Sequence, residues 1–355
     1  MHVTLWRQDT EIRFAVRAAG QRHDERSRLF FCVEHDGVAG YGEVAPQPVA
    51  LNGDAGILDV IDELRVFVVP QLQQILDREG DVPSWTRVAR FAGSRAAANP
   101  AVALTEMALL DRELRLTRQS IADLWPAVFD TPLQATVSLL DDSEWDVGTD
   151  VARVRAKTSS ALPSASALER LATLKVPVLL DYNCAATNDV DVLEQVKIVS
   201  DVATLAGVEQ PYDVGNVVDS ARLAEQLDVP LSIDEGVRSI RDIGQIVRYH
   251  AAEIVCVKPA RVGGLANART IVLEARAAGL RPYVGGFFES PYARHVHRAL
   301  ARNCVMEPSD LRPVPVQLSG YDVEVESADF GVELRPSSQM LEHAGVVLFD
   351  VGRGI

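Results

Sequence analysis

Cysteine is scarce: four residues in 355, Cys32, Cys184, Cys256 and Cys304, at wide and irregular intervals. That spacing excludes a disulfide framework and a cysteine-based zinc site, and leaves reduced, buried thiols. Long apolar runs are missing as well. No stretch approaches the roughly 20 apolar residues that a membrane-spanning helix needs, so no membrane partner is expected. The first residues, MHVTLWRQDTEIRFAV, alternate like a strand and lack the apolar centre of a secretory signal, which predicts a cytoplasmic protein. Positive charge is in deficit: 35 Lys and Arg against 50 Asp and Glu leave a net charge of −15. A field of that sign argues against nucleic acid as a partner. It does not exclude an anionic small molecule, because a local cation or a bound metal can reverse the field inside a pocket.

What the chain does have is rhythm. Residues 1–53 read as strands: VTLWRQDTEIRFAV, then SRLFFCVEHDGVAGYGEV turning at Asp36-Gly37. Residues 56–80 and 99–126 carry helical spacing, as in ILDVIDELRVFVVPQLQQIL and AVALTEMALLDREL. Strands followed by a block of helices imply a segregated α+β domain. From about residue 133 short apolar runs alternate with amphipathic stretches. The runs are LQATVSL, VARVRAK, VPVLLD, LAGVEQ, VPLSID, EIVCVK, RPYVGG and NCVM, separated by segments such as DVDVLEQVKIVSDV and SIRDIGQIVRYHAA. Eight strand candidates joined by helices predict a parallel (β/α) barrel. The expected division is an α+β domain over 1–128, a barrel over 129–320, and a tail, 321–355, that packs back on the first domain.

Five of these runs end on an ionisable residue: Lys157, Asp181, Glu209, Asp234 and Lys258. Their separations are 24, 28, 25 and 24 residues, about one βα unit each, so they recur at one level of the barrel. Active sites of such barrels lie at the C-terminal ends of the strands. A lone strand-end carboxylate is ordinarily a helix cap, and a lone strand-end lysine is ordinarily solvated along its stem. The order Lys–Asp–Glu–Asp–Lys on consecutive strands is not explained that way. Three crowded carboxylates repel one another unless a cation neutralises them, and their hard oxygens suit Mg²⁺, with Mn²⁺ as an alternative. The flanking lysines are placed for acid–base or charge-stabilising work. A divalent cation and Arg155 beside them are expected to push a buried lysine's pKa down.

These residues resemble the enolase superfamily, in its muconate-lactonizing subgroup. The matching motifs are Arg155-Ala156-Lys157 in place of a Lys-x-Lys pair, Leu180-Asp181-Tyr182-Asn183, Val208-Glu209-Gln210-Pro211, Ile233-Asp234-Glu235-Gly236 and Val257-Lys258-Pro259. GYGEVAPQP, residues 40–48, resembles the family's capping loop, and AVALTEMALLD, residues 101–111, its long capping helix. The resemblance spans nearly the whole chain. It implies an α/β fold, a modified TIM barrel of the (β/α)7β kind with an α+β capping domain. It also implies that Asp181, Glu209 and Asp234 bind Mg²⁺, which holds a substrate carboxylate. One of Lys157 and Lys258 then removes the proton α to that carboxylate, giving an enediolate. Asn183 and Glu235 are implied to orient these groups. The implied partner is a small-molecule carboxylate, and the implied assembly a homo-oligomer.

Arg155 departs from the family pattern. It keeps a fixed charge beside Lys157 with a different donor geometry, or else simply pairs with a carboxylate. YVGGFFES, residues 283–290, offers no histidine base of the mandelate-racemase kind, and His295 and His297 fall in the helical stretch beyond it. CVMEPSDL lacks the Asp-x-Asp of dipeptide epimerases. PARVGGL and GGFFES look most like the o-succinylbenzoate synthase and N-succinylamino acid racemase branch. The expected reaction is a synthase-like syn dehydration, with racemisation and muconate-type cycloisomerisation as alternatives. A Schiff-base aldolase has no use for three metal-spaced carboxylates, and a non-catalytic binding barrel none for two desolvated lysines. Substrate choice is expected to sit in loops 17–28 and 46–56 and in Glu289, Ser290 and Arg294.

Overall fold

The computed structural model describes residues 1–18, 21–93, 98–141, 145, 147–312, 325–338, 341 and 344–347. Residues 19 and 20 of the expected specificity loop, 313–320 at the expected end of the barrel, and 321–324, 339, 340, 342, 343 and 348–355 of the expected tail lie outside them.

The chain opens with antiparallel strands β1 (His2–Ala18), β2 (Gln21–His35) and β3 (Val38–Val44). Asp36 and Gly37 take positive φ, 52° and 74°, as a two-residue hairpin turn requires. Helices α1 (Ile57–Glu63), α2 (Val69–Glu79), α3 (Trp85–Val88), α4 (Ala98–Thr117) and α5 (Ile121–Leu124) follow. The helical spacing over 56–80 is interrupted. Pro70 has no N–H to continue the bonding, and Leu64–Val68 widens into a π turn between α1 and α2. Helix α4 crosses β3 at the closest approach a backbone allows. A Cβ on Gly42 would lie 2.0 Å from the Leu104 carbonyl oxygen, and one on Gly40 2.2 Å from that of Ala108. The glycines of GYGE are therefore a packing requirement of this helix. Val3, Leu5, Leu29, Phe31 and Val33 of the sheet share one core with α1, α2 and α4.

A parallel sheet follows: β4 (Leu133–Ser138), β5 (Val151–Lys157), β6 (Val178–Asp181), β7 (Leu205–Glu209), β8 (Leu231–Ile233), β9 (Ile254–Val257) and β10 (Arg281–Val284), each beside the next. The connections carry α6 (Ala165–Ala172), α7 (Asp189–Ser200), α8 (Val217–Ala224), α9 (Ile240–Tyr249), α10 (Pro259–Val262) and α11 (Leu265–Ala277); α12 (Pro291–Cys304) follows β10. Apolar strand residues such as Val154, Leu180, Val208 and Val255 pack with these helices in a second core.

The eighth position differs from expectation. NCVM is not a strand, because Asn303 and Cys304 end α12. The ring is closed further on, by Ser309. Its Oγ accepts from Val284 N at 3.2 Å, its N–H donates to Pro132 O at 2.9 Å, and its carbonyl accepts from Gln134 N at 3.1 Å. The result is a curled parallel sheet closed by a bridge between Leu133 and Ser309.

Two carboxylates of the N-terminal unit reach helices of the barrel. Glu43 accepts from the N–H groups of Ser290 (2.6 Å) and Ala293 (3.2 Å) at the start of α12. Glu106 accepts from those of Leu265 and Ala266 at the start of α11. Short strands β11 (Val325–Ser327) and β12 (Leu334–Pro336) pair with each other, and β13 (Gly345–Val347) pairs antiparallel with residues 5–7 of β1. All four cysteines are free. Among the described residues no helix is long and apolar enough to cross a membrane.

Candidate active site

Register brings the strand-end residues together. Lys157 pairs with Asp181, Asp181 with Glu209, and Glu209 with Ser232. Asp234 and Lys258 each stand one residue beyond β8 and β9. Side chains two apart share a face of a strand. Arg153, Arg155 and Lys157 thus point inward, while Val154 and Ala156 join the outer core. All five strand-end residues are buried, and the three carboxylates completely so.

Lys157 Nζ donates to Asp181 Oδ2 and Asn183 Oδ1, both at 2.6 Å. Lys258 Nζ donates to Asp234 Oδ2 at 2.7 Å and lies 4.8 Å from the ring centre of Phe287. Glu209 sits between them, accepting from Tyr283 OH (2.5 Å), Ser232 Oγ (3.2 Å) and Arg155 Nη1 (3.4 Å). Asn183 donates from Nδ2 to Glu235 Oε1 at 3.0 Å and from its backbone to Asp181 Oδ1 at 3.1 Å. It does so from a left-handed backbone, φ 45°, which asparagine tolerates. Gln210 Oε1 accepts from the N–H groups of Asp234 and Gly236, both at 3.0 Å, and fixes the turn after β8.

Four residues that sequence reasoning did not single out complete the cluster: Tyr283, Arg261, Asp54 and Asp310. Arg261 lies one helical turn after Lys258, a spacing that was the available signal. It donates from Nη1 to Asp234 Oδ1 (2.5 Å) and from Nε and Nη2 to the two oxygens of Asp54 (2.9 and 2.8 Å). Arg155 Nη2 donates to Asp310 Oδ2 at 2.5 Å, so Arg155 does pair with a carboxylate. Asp54 and Asp310 carried no local signal, since their partners are 207 and 155 residues away.

Glu289, Ser290 and Arg294 are engaged elsewhere. Ser290 Oγ donates to Glu43 at 2.5 Å, and Glu289 Oε1 accepts from Phe287 N at 2.9 Å. Arg294 donates to the carbonyl oxygens of Phe287 (2.7 Å), Asp310 (3.3 Å) and Arg312 (3.2 Å). They shape the loop after β10, and among the described residues none of the three hydrogen-bonds to a strand-end residue. His297 is buried in α12 and His295 pairs with Glu333.

Burial raises Glu209 to about 7, with Asp181's like charge adding and Arg155 opposing. Burial, then Asp234's charge, raises Glu235. Asp234 goes the other way: burial opposes its ionisation, but Lys258 and Arg261 hold it well below the usual carboxylate range. Lys258 answers to the same pair of charges. Burial pulls it down, yet the Asp234 carboxylate at 2.7 Å outweighs burial and Arg261 and leaves it raised.

Among the described residues no three carboxylate, imidazole or thiol groups already surround one metal-sized point. Each rim carboxylate is instead turned onto a cation or hydroxyl. The donor chemistry still fits a hard divalent cation. Asp181, Glu209 and Asp234 are fully buried oxygen donors, and Glu209 is held above its ordinary range partly by its neighbours' charge, which a bound cation relieves.

A curled parallel sheet with charged residues buried at its rim, under an N-terminal α+β unit, is the architecture of a capped-barrel enzyme. Residues 142–333, more than half of the chain, match the family described as Enolase C-terminal domain-like, and the chain belongs to that family. It is 30% identical over 226 residues to the N-succinylamino acid racemase of Amycolatopsis sp., a match covering 60% of this chain and 59% of the racemase, less than two thirds of that relative. It is 24% identical over 312 residues to the o-succinylbenzoate synthase of Bacillus subtilis strain 168, covering 84% of this chain and 81% of the synthase. The crystal structure of an enolase-superfamily member from Listeria innocua superposes with a TM-score of 0.81 at 19% identity over 96% of each chain, a likeness of fold. The protein is thus an enolase-superfamily enzyme with the capped, TIM-barrel-like α/β fold its sequence predicts, among relatives with lyase and isomerase names. Enolase-superfamily enzymes generally use Mg²⁺.

Proposed function

We propose that the protein abstracts the proton α to the carboxylate of a small molecule through an enediolate intermediate, in an o-succinylbenzoate synthase-like dehydration. The observation that carries this reading is the pair of buried lysines flanking three buried carboxylates, Lys157 at 2.6 Å from Asp181 and Lys258 at 2.7 Å from Asp234. Asp181, Glu209 and Asp234 would hold Mg²⁺ or Mn²⁺. When bound, such a cation supplies stabilisation of the negative charge that develops on the substrate carboxylate.

The chain's own residues do the rest. Lys157 Nζ takes the α proton, and Asn183, 2.6 Å away, holds the resulting ammonium in place. The C–H electrons pass into the enediolate. The β C–O bond then breaks, Lys157 returns its proton to the departing hydroxyl, and water leaves. Lys258 presents its positive charge to the enediolate from the opposite side. Asn183 and Glu235 orient the rim through their mutual hydrogen bond. In this reading residues 1–128 are the capping domain and 129–320 the catalytic barrel, with 321–355 packing back on the cap. Two cores, each drawn mainly from one of these stretches, and the pairing of β13 with β1 support that division.

A second reading, racemisation of an N-succinylamino acid, is favoured by the near symmetry of the two lysines. Each has its own carboxylate within 2.7 Å, as two bases working opposite faces of one carbon need.

The test is incubation in D₂O with Mg²⁺, offering N-succinylamino acids and the o-succinylbenzoate synthase substrate. Deuterium at the α carbon, or dehydration, is expected to fall by about 10³-fold in Lys157→Ala and in Lys258→Ala and to stop with EDTA. Exchange without dehydration selects racemisation. Undiminished exchange in both variants overturns the assignment of the lysines.

A further inference from the structure

We propose that Asp310 is a positioning residue for the metal-binding carboxylates: it draws the Arg155 guanidinium away from Asp181 and Glu209 and so lessens the competition of that fixed cation with a divalent ion. This rests on the metal assignment proposed above. Arg155 stands on the inner face of β5, and its side chain is 5% exposed. Its three nitrogens face three carboxylates at unequal distances. Nη2 reaches Asp310 Oδ2 at 2.5 Å, whereas Nη1 is 3.4 Å from Glu209 Oε1 and Nε 3.6 Å from Asp181 Oδ2. Charged hydrogen bonds are strong when short and weaken steeply as they lengthen. The Asp310 bond is the tight one, and among the described residues Nε makes none. Thr136 brackets the pair, donating to Asp310 Oδ2 and accepting from Arg155 Nη2, both at 3.4 Å.

The need for such a device follows from the Lys-to-Arg departure. A guanidinium stays charged in a protein, so its charge at this position cannot be titrated away as a lysine's can. A fixed cation bound tightly to Asp181 and Glu209 would compete with a divalent ion for the same lone pairs and repel it. A carboxylate on the far side weakens both effects. Asp310 occupies that side, directly after Ser309, which closes the ring between β10 and β4 and thereby anchors it. Being committed to Arg155, Asp310 does not stand in for the missing Asp-x-Asp of the epimerases.

The experiment follows Mn²⁺ binding to the full chain, without substrate, by the electron paramagnetic resonance signal of free Mn²⁺. Asp310→Asn is expected to weaken binding about tenfold or more, the scale of losing a residue that supports metal ligands. Arg155→Gln binds at least as tightly as the parent chain. In that background Asp310→Asn changes affinity by less than about twofold, since the cation it restrains is gone. Asp310→Glu keeps the charge and stays within about threefold of the parent. Parent-like binding in Asp310→Asn overturns the proposal, and so does an equal loss in the Arg155→Gln background. If thermal unfolding shows that Asp310→Asn does not fold, the Asp310→Glu variant and the double substitution decide. Asp234→Asn is the separate control: if it binds Mn²⁺ like the parent chain, the metal assignment itself fails and takes this inference with it.

Discussion

The rim is built from two arms on one plan. On one side Lys157, Asp181, Arg155 and Asp310 form a run of alternating charge, and on the other Lys258, Asp234, Arg261 and Asp54 do the same. The arms differ in the source of the outer aspartate. Asp310 follows the closing residue of the ring, so the first arm is complete within the barrel. Asp54 lies between β3 and α1, so the second arm is complete only when the N-terminal unit is seated on the barrel. The grip differs too. Arg261 holds Asp234 at 2.5 Å and both oxygens of Asp54, while Arg155 is tight on Asp310 alone. The lesson is that one lysine is preassembled by the sheet, and the other acquires its full surroundings by docking.

The comparison breaks most visibly at its outer ends. Asp54→Ala strips the buried Arg261 of its bidentate partner and is expected to cost up to about 5 kcal/mol in denaturant unfolding. Asp310→Ala should cost less, about 1–3 kcal/mol, because its carboxylate is 17% exposed and Arg155 keeps two other carboxylates nearby. Equal losses would erase the distinction between the arms.

Acidity tests the docked arm by another route. Burial pushes Glu106, at the start of α11, up to about 8, against its backbone hydrogen bonds. A carboxyl raised in the folded state stabilises fully below its ordinary value of 4.5, and that stability is lost as pH rises through about 8. The loss is expected to reach roughly 4 kcal/mol. Unfolding midpoints measured from pH 5 to 9 should therefore fall in the parent chain and stay nearly level in Glu106→Gln; parallel slopes would remove Glu106 as the cause.

Tyr283→Phe sharpens the comparison from its midpoint. It removes the hydroxyl that donates to Glu209 at 2.5 Å and should cost about 2 kcal/mol by denaturant titration, a burden shared by both arms. The smallest effect belongs to a helix cap outside either arm. Asn188 accepts from Asp191 N at 3.0 Å to start α7, and Asn188→Ala should cost about 1 kcal/mol without altering Mn²⁺ affinity.

The repeating strands and their charged ends were legible because period-two burial and a βα repeat are local properties of the sequence. The outer aspartates were not. Asp54 and Asp310 meet their arginines only through the closure of the fold, and neither neighbourhood differs from an ordinary polar loop. NCVM was misread for a related reason: a short apolar run is the same whether it ends a buried helix or begins a strand. Glu289, Ser290 and Arg294 sit beside a glycine pair at a strand end, and their contacts with Phe287, Tyr292 and Glu43 are not readable from spacing. The raised Lys258 depends on where Asp234 points, a fact no spacing contains.

Glu43 and Glu106 make the joint between the two units selective. Each satisfies amide groups at the head of a barrel helix that would otherwise be left dry. A chimaera that pairs this barrel with another lid must therefore bring acidic side chains to both places or leave two helix ends without acceptors. A lid lacking them is expected to fail at this seam before any ligand is offered.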